Sequence, residues 1–143
     1  MLDARIDELS EHEIDWVTSQ LSLAARLALE YGGKRERLPS PETLDAALSA
    51  WRERLPEQRE DVDTIVNALG LALGQNLVES HGLEWVIMSD RHGPAIALHG
   101  EPGDVRVFPM SLTARGLAQG EAGFFARLFE AVGKDIARAR GAI

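Results

Sequence analysis

The sequence predicts an α+β domain in which a three-stranded antiparallel β-meander packs against helices. Three observations support this class: helical spacing of apolar residues before residue 81, alternation of apolar and polar residues between 83 and 108, and helical spacing again near the carboxyl terminus. The connections inside the alternating region are too short for parallel crossovers, so its strands must be antiparallel. We therefore expect a helical amino-terminal half, one small sheet and carboxyl-terminal helices.

Three helices are expected before the sheet. The first runs from about Glu13 to Tyr31 and stops at Gly32-Gly33, because glycine accepts the left-handed conformation of a helix cap. The second begins at Ser40-Pro41-Glu42, where serine can cap and proline suits the first helical position, and it ends before Pro56. The third covers approximately Asp61–Ser80.

Two glycines inside the third helix predict a close packing contact. Gly70 and Gly74 are four residues apart and therefore share one helix face. Each costs about 1 kcal/mol relative to alanine in a helix interior. We expect another element to pack closely against this face, because such packing would explain why glycine is present.

Three strands and two helices follow. The strands are expected at Leu83–Ser89, Ala95–His99 and Val105–Phe108, with clusters of turn-forming residues between them. After the sheet, Ser111–Gln119 forms a short helix that stops at glycine, and a last helix runs from Phe124 to about Arg138.

The two turns also predict the register of the sheet. With Arg91-His92 and Pro102-Gly103 as two-residue loops, the facing pairs are Trp85 with Leu98, Ile87 with Ile96, Leu98 with Val107, and Gly100 with Val105. The face that we expect helices to bury then contains Leu83, Trp85, Ile87, Ile96, Leu98, Val105 and Val107.

The opposite face carries a polar row of Glu84, His99 and Arg106 across three strands. An imidazole between a carboxylate and a guanidinium could serve acid–base chemistry or bind an anion. The other interpretation is a solvated polar ladder, since structural ion pairs commonly have this composition. We assign no catalytic residue, and these three are the candidates.

The same face carries apolar residues that could form an interaction surface, namely Val86, Met88, Ala95, Ala97 and Phe108. We expect the chain's own helices to cover part of this surface. Any part left open would contact a partner or a second copy of the chain.

Composition narrows the classes of function. The 143 residues carry a formal charge of −8 and include no cysteine, which excludes disulfides, thiolate metal sites and thiol catalysis. The acidic balance disfavours nucleic acid and anionic membranes as partners, because both are bound by clustered Lys and Arg. The acidic segment Met1–Asp15 does not have the basic start of a secretory signal, and no apolar run is long enough to span a bilayer. A cytoplasmic location is expected.

Motifs for metals, cofactors and nucleophiles are missing from the sequence. The sequence contains four histidines, which are His12, His81, His92 and His99. Their spacing is not that of a zinc site. No phosphate-binding loop is present, and serines such as Ser111 have no identifiable base. We therefore expect neither a metal nor a cofactor.

Several short segments occur in a characteristic order, which is Val66-Asn67-Ala68-Leu69-Gly70, Gly74, His81-Gly82-Leu83-Glu84-Trp85-Val86, Ser89-Asp90, Gly93, Gly103-Asp104, Val107-Phe108-Pro109 and Phe124-Phe125. Their succession, from Trp51 to about Ala139, resembles an uncharacterised bacterial family, the domain of unknown function number 3806. The resemblance implies no activity and gives no residue a role. It divides the single domain 1–143 into a helical extension, 1–56, and a family-like core, 57–143, with the sheet at about 83–108.

Together these observations favour a non-enzymatic protein-interaction module, either homodimeric or bound to another protein, with an immunity-like or chaperone-like role. The negative charge of such a module would steer basic partners toward it. The alternative is a small-ligand-binding protein or an enzyme that uses the row of Glu84, His99 and Arg106.

Overall fold

The computed structural model describes residues 5–141 and confirms the α+β class. Residues 1–4 and 142–143, which the predicted domain also includes, lie outside this range. The elements follow one another as β1 (Arg5–Glu8), α1 (Glu11–Gly32), α2 (Pro41–Glu53), α3 (Val62–His81), β2 (Glu84–Asp90), β3 (Gly93–Gly100), β4 (Val105–Val107), α4 (Pro109–Gln119) and α5 (Phe124–Ala139). A single 3₁₀ turn at Pro56–Gln58 joins α2 to α3.

A fourth strand, β1, joins the three predicted strands, so the sheet is four-stranded and antiparallel in the order β1-β2-β3-β4. Ile6 lies opposite Met88, and Glu8 lies opposite Val86. The strand has only four residues and the sequence RIDE, which shows no run of alternating apolar residues. Charged residues are typical of a sheet edge, where they discourage pairing with other chains.

The predicted register is confirmed at all four facing pairs, which are Trp85 with Leu98, Ile87 with Ile96, Leu98 with Val107, and Gly100 with Val105. The first hairpin closes on Arg91-His92, because Asp90 pairs with Gly93. The second connection differs from the predicted two-residue loop. Its strands end at Gly100 and Val105, so residues 101–104 form a four-residue turn with the pairing unchanged.

The helices begin and end at capping residues. Ser10 caps α1 in a capping box with Glu13, and for this reason the helix starts two residues before the predicted position. Ser40 and Asp61 cap α2 and α3 through their side chains. None of the helices within residues 5–141 is long and apolar enough to cross a membrane.

Helix α3 is the centre of the molecule, with ten buried residues along its length. On one side it packs with α1, α2 and α5 in a core that includes Leu27, Trp51, Leu69 and Phe125. The close packing predicted at the two glycines of α3 is confirmed. A Cβ at Gly70 would lie 3.2 Å from the Met110 Cα, and a Cβ at Gly74 would overlap the Trp85 indole. The two glycines therefore let α4 and the Trp85 side chain pack closely against α3.

Helices cover the sheet face that we expected to be buried. Leu77 of α3, Leu112 of α4 and Ile136 of α5 pack there against the strands. Of the seven residues predicted on this face, the buried ones are Leu83, Leu98, Val105 and Val107. The others are only partly buried, and these are Trp85, Ile87 and Ile96.

The opposite face contains a smaller apolar cluster of Val86, Met88 and Ala97, with Ile6 and Phe108 packed against it. We expected the chain's own helices to cover part of this face. Within residues 5–141, the hydrophobic members of the cluster come from strands β1 to β3 and from Phe108, which precedes α4. The unpredicted strand β1 brings Ile6 next to Met88. This strand therefore covers part of the cluster that we expected a helix to cover.

Candidate binding groove beside an edge strand

The strand register brings the polar row together as predicted: Glu84 lies opposite His99, and His99 lies opposite Arg106. The carboxylate that contacts the imidazole, however, belongs to Asp104. His99 Nε2 lies 3.0 Å from Asp104 Oδ1, and Arg106 donates from Nε and Nη2 to the two Asp104 oxygens at 3.1 Å. Glu84 does not take part in these contacts.

Asp104 is the functional candidate that sequence reasoning missed. It lies in the turn before β4 with a φ of +47°, and its backbone N–H donates to Glu101 Oε1 at 2.7 Å. The hydrogen bonds from Arg106 and then from His99 hold the pKa of the Asp104 carboxyl below its usual value. The sequence places Asp104 two residues before Arg106, but it does not show that the turn folds this carboxylate back onto the strand.

Three possible metal ligands also meet at this turn. Ligand atoms of His99, Glu101 and Asp104 all lie within 4.8 Å of one another. The Arg106 guanidinium contacts both oxygens of Asp104, so a cation would have to displace it and would be repelled by its charge. The arrangement is that of an exposed ion-pair cluster that joins the β3–β4 turn to β4.

The other histidines lie apart from this cluster. His12 and His92 are exposed, and His92 lies in the first hairpin turn. The His81 ring packs 6.1 Å from the Phe129 ring, centroid to centroid. Burial, and then the charge of Arg140, lower the pKa of His81, so its ring favours the neutral form.

A groove of about 530 Å³ lies beside β4, between this strand and helices α4 and α5. One wall is formed by the consecutive residues Gly103–Phe108. Side chains of a strand alternate between the two faces of a sheet, so a wall that includes every residue of a strand is formed by its edge. Among residues 5–141, β4 pairs only with β3, and the groove therefore runs along an edge of the sheet.

The opposite wall of the groove is formed by two helices. Ser111, Leu112 and Arg115 of α4 lie on it, together with Val132 and Ile136 of α5. Leu112, Val132 and Ile136 are aliphatic, whereas Ser111, Arg115 and Asp135, which also lines this wall, are exposed polar residues. The groove thus combines an apolar surface with polar groups, which is the usual character of a binding site.

A second hollow of about 230 Å³ lies between α4 and α5, next to the groove. It shares Leu112 and Arg115 with the first and is lined further along by Phe124 and Leu128. Arg115 therefore lines both hollows. One hollow lies beside β4 and the other near the beginning of α5, and we refer to the two together as the channel.

The predicted apolar interaction surface is largely closed within the chain itself. Val86, Met88 and Ala97 are 3%, 4% and 0% exposed, whereas Ala95 is exposed. Phe108 is partly buried and also lines the groove. The accessible part of this predicted surface is thus Ala95 together with Phe108.

The family described as a domain of unknown function (DUF3806) matches residues 45–129, which is more than half of the chain. The match confirms the resemblance seen in the sequence, although it begins earlier, inside α2, and ends before Ala139. No curated protein matches the chain.

A solved protein of Bacteroides thetaiotaomicron VPI-5482, whose crystal structure has a resolution of 1.50 Å, is similar in fold, with a TM-score of 0.71 and 14% sequence identity. The similarity covers 91% of this chain and 47% of that protein, so the chain spans about half of its length. At this level of identity the likeness concerns the fold alone.

Proposed function

We propose that this chain, which belongs to the DUF3806 family, is a non-enzymatic protein-interaction module that binds an extended polypeptide segment in the groove beside β4. The observation that supports the proposal is the free edge of β4 in the wall of the groove. An edge strand has backbone N–H and C=O groups that can pair with an added strand. The helical wall offers apolar surface for the side chains of that strand.

The alternative of an enzyme or small-ligand protein that uses Glu84, His99 and Arg106 has less support. The Asp104 carboxylate is 54% exposed and already engages both His99 and Arg106. Glu84 itself is exposed. Asp104 and Arg106 form an exposed ion pair, which contributes little and does not have the enclosed surroundings of most catalytic groups, whereas the His99 side chain is 15% exposed.

The proposal keeps the cytoplasmic location and the immunity-like or chaperone-like role that the sequence favours. Either role requires recognition of another polypeptide. A second copy of the chain could also pair at β4, and the homodimer is therefore one outcome that the test must separate.

The test is to pan a random-peptide display library on the full chain and to measure binding of the selected synthetic peptides by fluorescence anisotropy. Ser111→Trp would fill the groove from α4 at an exposed position, and Ala114→Trp adds the same ring to the same helix outside the groove. We expect Ser111→Trp to weaken binding about tenfold or more, because the ring occupies the space of the peptide. Ala114→Trp should leave affinity unchanged.

Two results would overturn the proposal. One is repeated panning that yields no binding peptide, and the other is peptides whose affinity is the same for Ser111→Trp and the unmodified chain. Light scattering tests the homodimer by measuring the molar mass of the free protein. If the unmodified chain is dimeric and the Ser111→Trp variant is monomeric, the groove binds a second copy of the chain instead of a peptide.

A further inference from the structure

We infer that the groove selects an extended segment with one acidic side chain in its middle and apolar side chains on both sides of it. The inference rests on the proposed function and assigns Arg115 as the residue that recognises the acid. It follows from the charges that line the groove and from the presence of Arg115 in the lining of both hollows.

Most charged residues along the channel already have a partner within residues 5–141. Arg106 pairs with Asp104, and the Asp135 carboxylate accepts from Arg138 at 3.1 Å. In the second hollow, Arg127 pairs with the Glu121 carboxylate at 2.8 Å. Arg115 has no ion pair or hydrogen bond with another described side chain, so its guanidinium is the charge available to a bound molecule.

The ligand group that fits Arg115 is a carboxylate. A guanidinium presents a planar fork of donors that matches two carboxylate oxygens. The acidic residues that line the same groove, Asp104 and Asp135, pair with Arg106 and Arg138, and Arg115 is the lining charge that has no ion pair among residues 5–141.

The position of Arg115 indicates a side-chain carboxylate rather than a chain terminus. Arg115 lines two hollows, one that also contains Val132 and Ile136 and another that also contains Phe124 and Leu128. A segment that ended at Arg115 would leave one of these hollows empty. A segment that passes through would place apolar side chains in both hollows and an Asp or Glu between them.

The test uses the selected peptides and the variant Arg115→Glu, with Arg26→Glu as its control. Arg26 is exposed on α1, and its replacement changes the formal charge of the chain by the same amount. We expect the peptides to share a central Asp or Glu flanked by apolar residues. Arg115→Glu should weaken their binding about tenfold, Arg26→Glu should not, and peptides with Lys in place of the acid should recover affinity for Arg115→Glu.

Peptides without a shared acidic position would overturn the inference, and so would equal affinities for Arg115→Glu and Arg26→Glu. Failure here is distinct from failure of the proposed function. Peptides that are sensitive to Ser111→Trp but not to Arg115→Glu would keep the groove as the binding site and remove the acidic specificity.

Discussion

Gly74 is the residue of α3 against which the Trp85 indole of the sheet packs. A methyl group there would overlap the Trp85 indole and lie 2.9 Å from the Pro109 ring. The Trp85 ring is held in place, since its Nε1 donates to Gln75 Oε1 at 2.9 Å. The packing cost at this position therefore exceeds the benefit in helix propensity that alanine would otherwise bring.

We expect Gly74→Ala to lower the free energy of unfolding by about 1–3 kcal/mol, because overpacking outweighs a propensity gain of about 1 kcal/mol. Urea denaturation followed by circular dichroism measures this change. Ser80→Ala, at an exposed site on the same helix, should be close to neutral. A Gly74→Ala chain as stable as Ser80→Ala would contradict the packing account.

Sequence reasoning at the residue scale was accurate where backbone geometry decides and incomplete where side-chain rotamers decide. The strand register follows from turn length and alternation, so the row of Glu84, His99 and Arg106 was predictable. The contact of His99 and Arg106 with Asp104 depends on how a four-residue turn folds back on its strand. A turn-forming aspartate and an ion-pairing aspartate look the same in a sequence.

At the scale of elements, α5 receives its amino-terminal cap from another helix. Its own N-cap residue, Gly123, makes no side-chain hydrogen bond. Instead the Asp45 carboxylate of α2 accepts from the backbone N–H groups of Phe125 and Ala126 at 2.8 and 3.0 Å. The negative charge also lies at the positive end of the helix dipole. One side chain thus joins α2 to the helix that forms a wall of the groove.

We expect Asp45→Ala to destabilise the chain by about 1–2 kcal/mol, since two helix N–H groups lose their acceptor. Asp45→Asn, which keeps one oxygen acceptor, should fall between the alanine variant and the unmodified chain. Urea denaturation again gives the values. Ser49→Ala, exposed on the same helix, is the control, and an Asp45→Ala effect no larger than this control would contradict the assigned cap.

The elements were predictable to the extent that they carry a periodic pattern. Helices with capping residues were recovered to within a few residues, because caps and apolar stripes are local signals. Strand β1 was missed because a charged four-residue edge strand is specified by the strand that it joins. The groove was missed for a related reason: its walls come from β4, α4 and α5, and their separation is a property of the packed molecule.

At the scale of the whole molecule, the two parts that the sequence distinguished share one core. The predicted extension, residues 1–56, contributes Leu27 and Trp51 to a cluster that also contains Leu69 of α3 and Phe125 of α5. Arg37 also pairs with Glu79 across these parts at 2.7 Å. The groove therefore rests on helices that the amino-terminal part helps to hold in place.

The overall charge and the groove have different roles in the proposed recognition. A formal charge of −8 favours encounter with basic or neutral proteins over strongly acidic ones. Within the complex, Arg115 would fix the register of the bound segment through one acidic side chain. Long-range charge thus affects the rate of association, and the local ion pair affects which segment stays bound.

The central claim is that a polypeptide adds to the sheet at β4, and amide hydrogen exchange measured by NMR tests it most directly. In the free chain, edge amides of Val105–Val107 that have no strand partner should exchange quickly. With a saturating amount of a selected peptide, the account predicts slow exchange at these amides and at alternate amides of the peptide. Unchanged exchange along β4, with protection at β1 or elsewhere on the molecule, would contradict it.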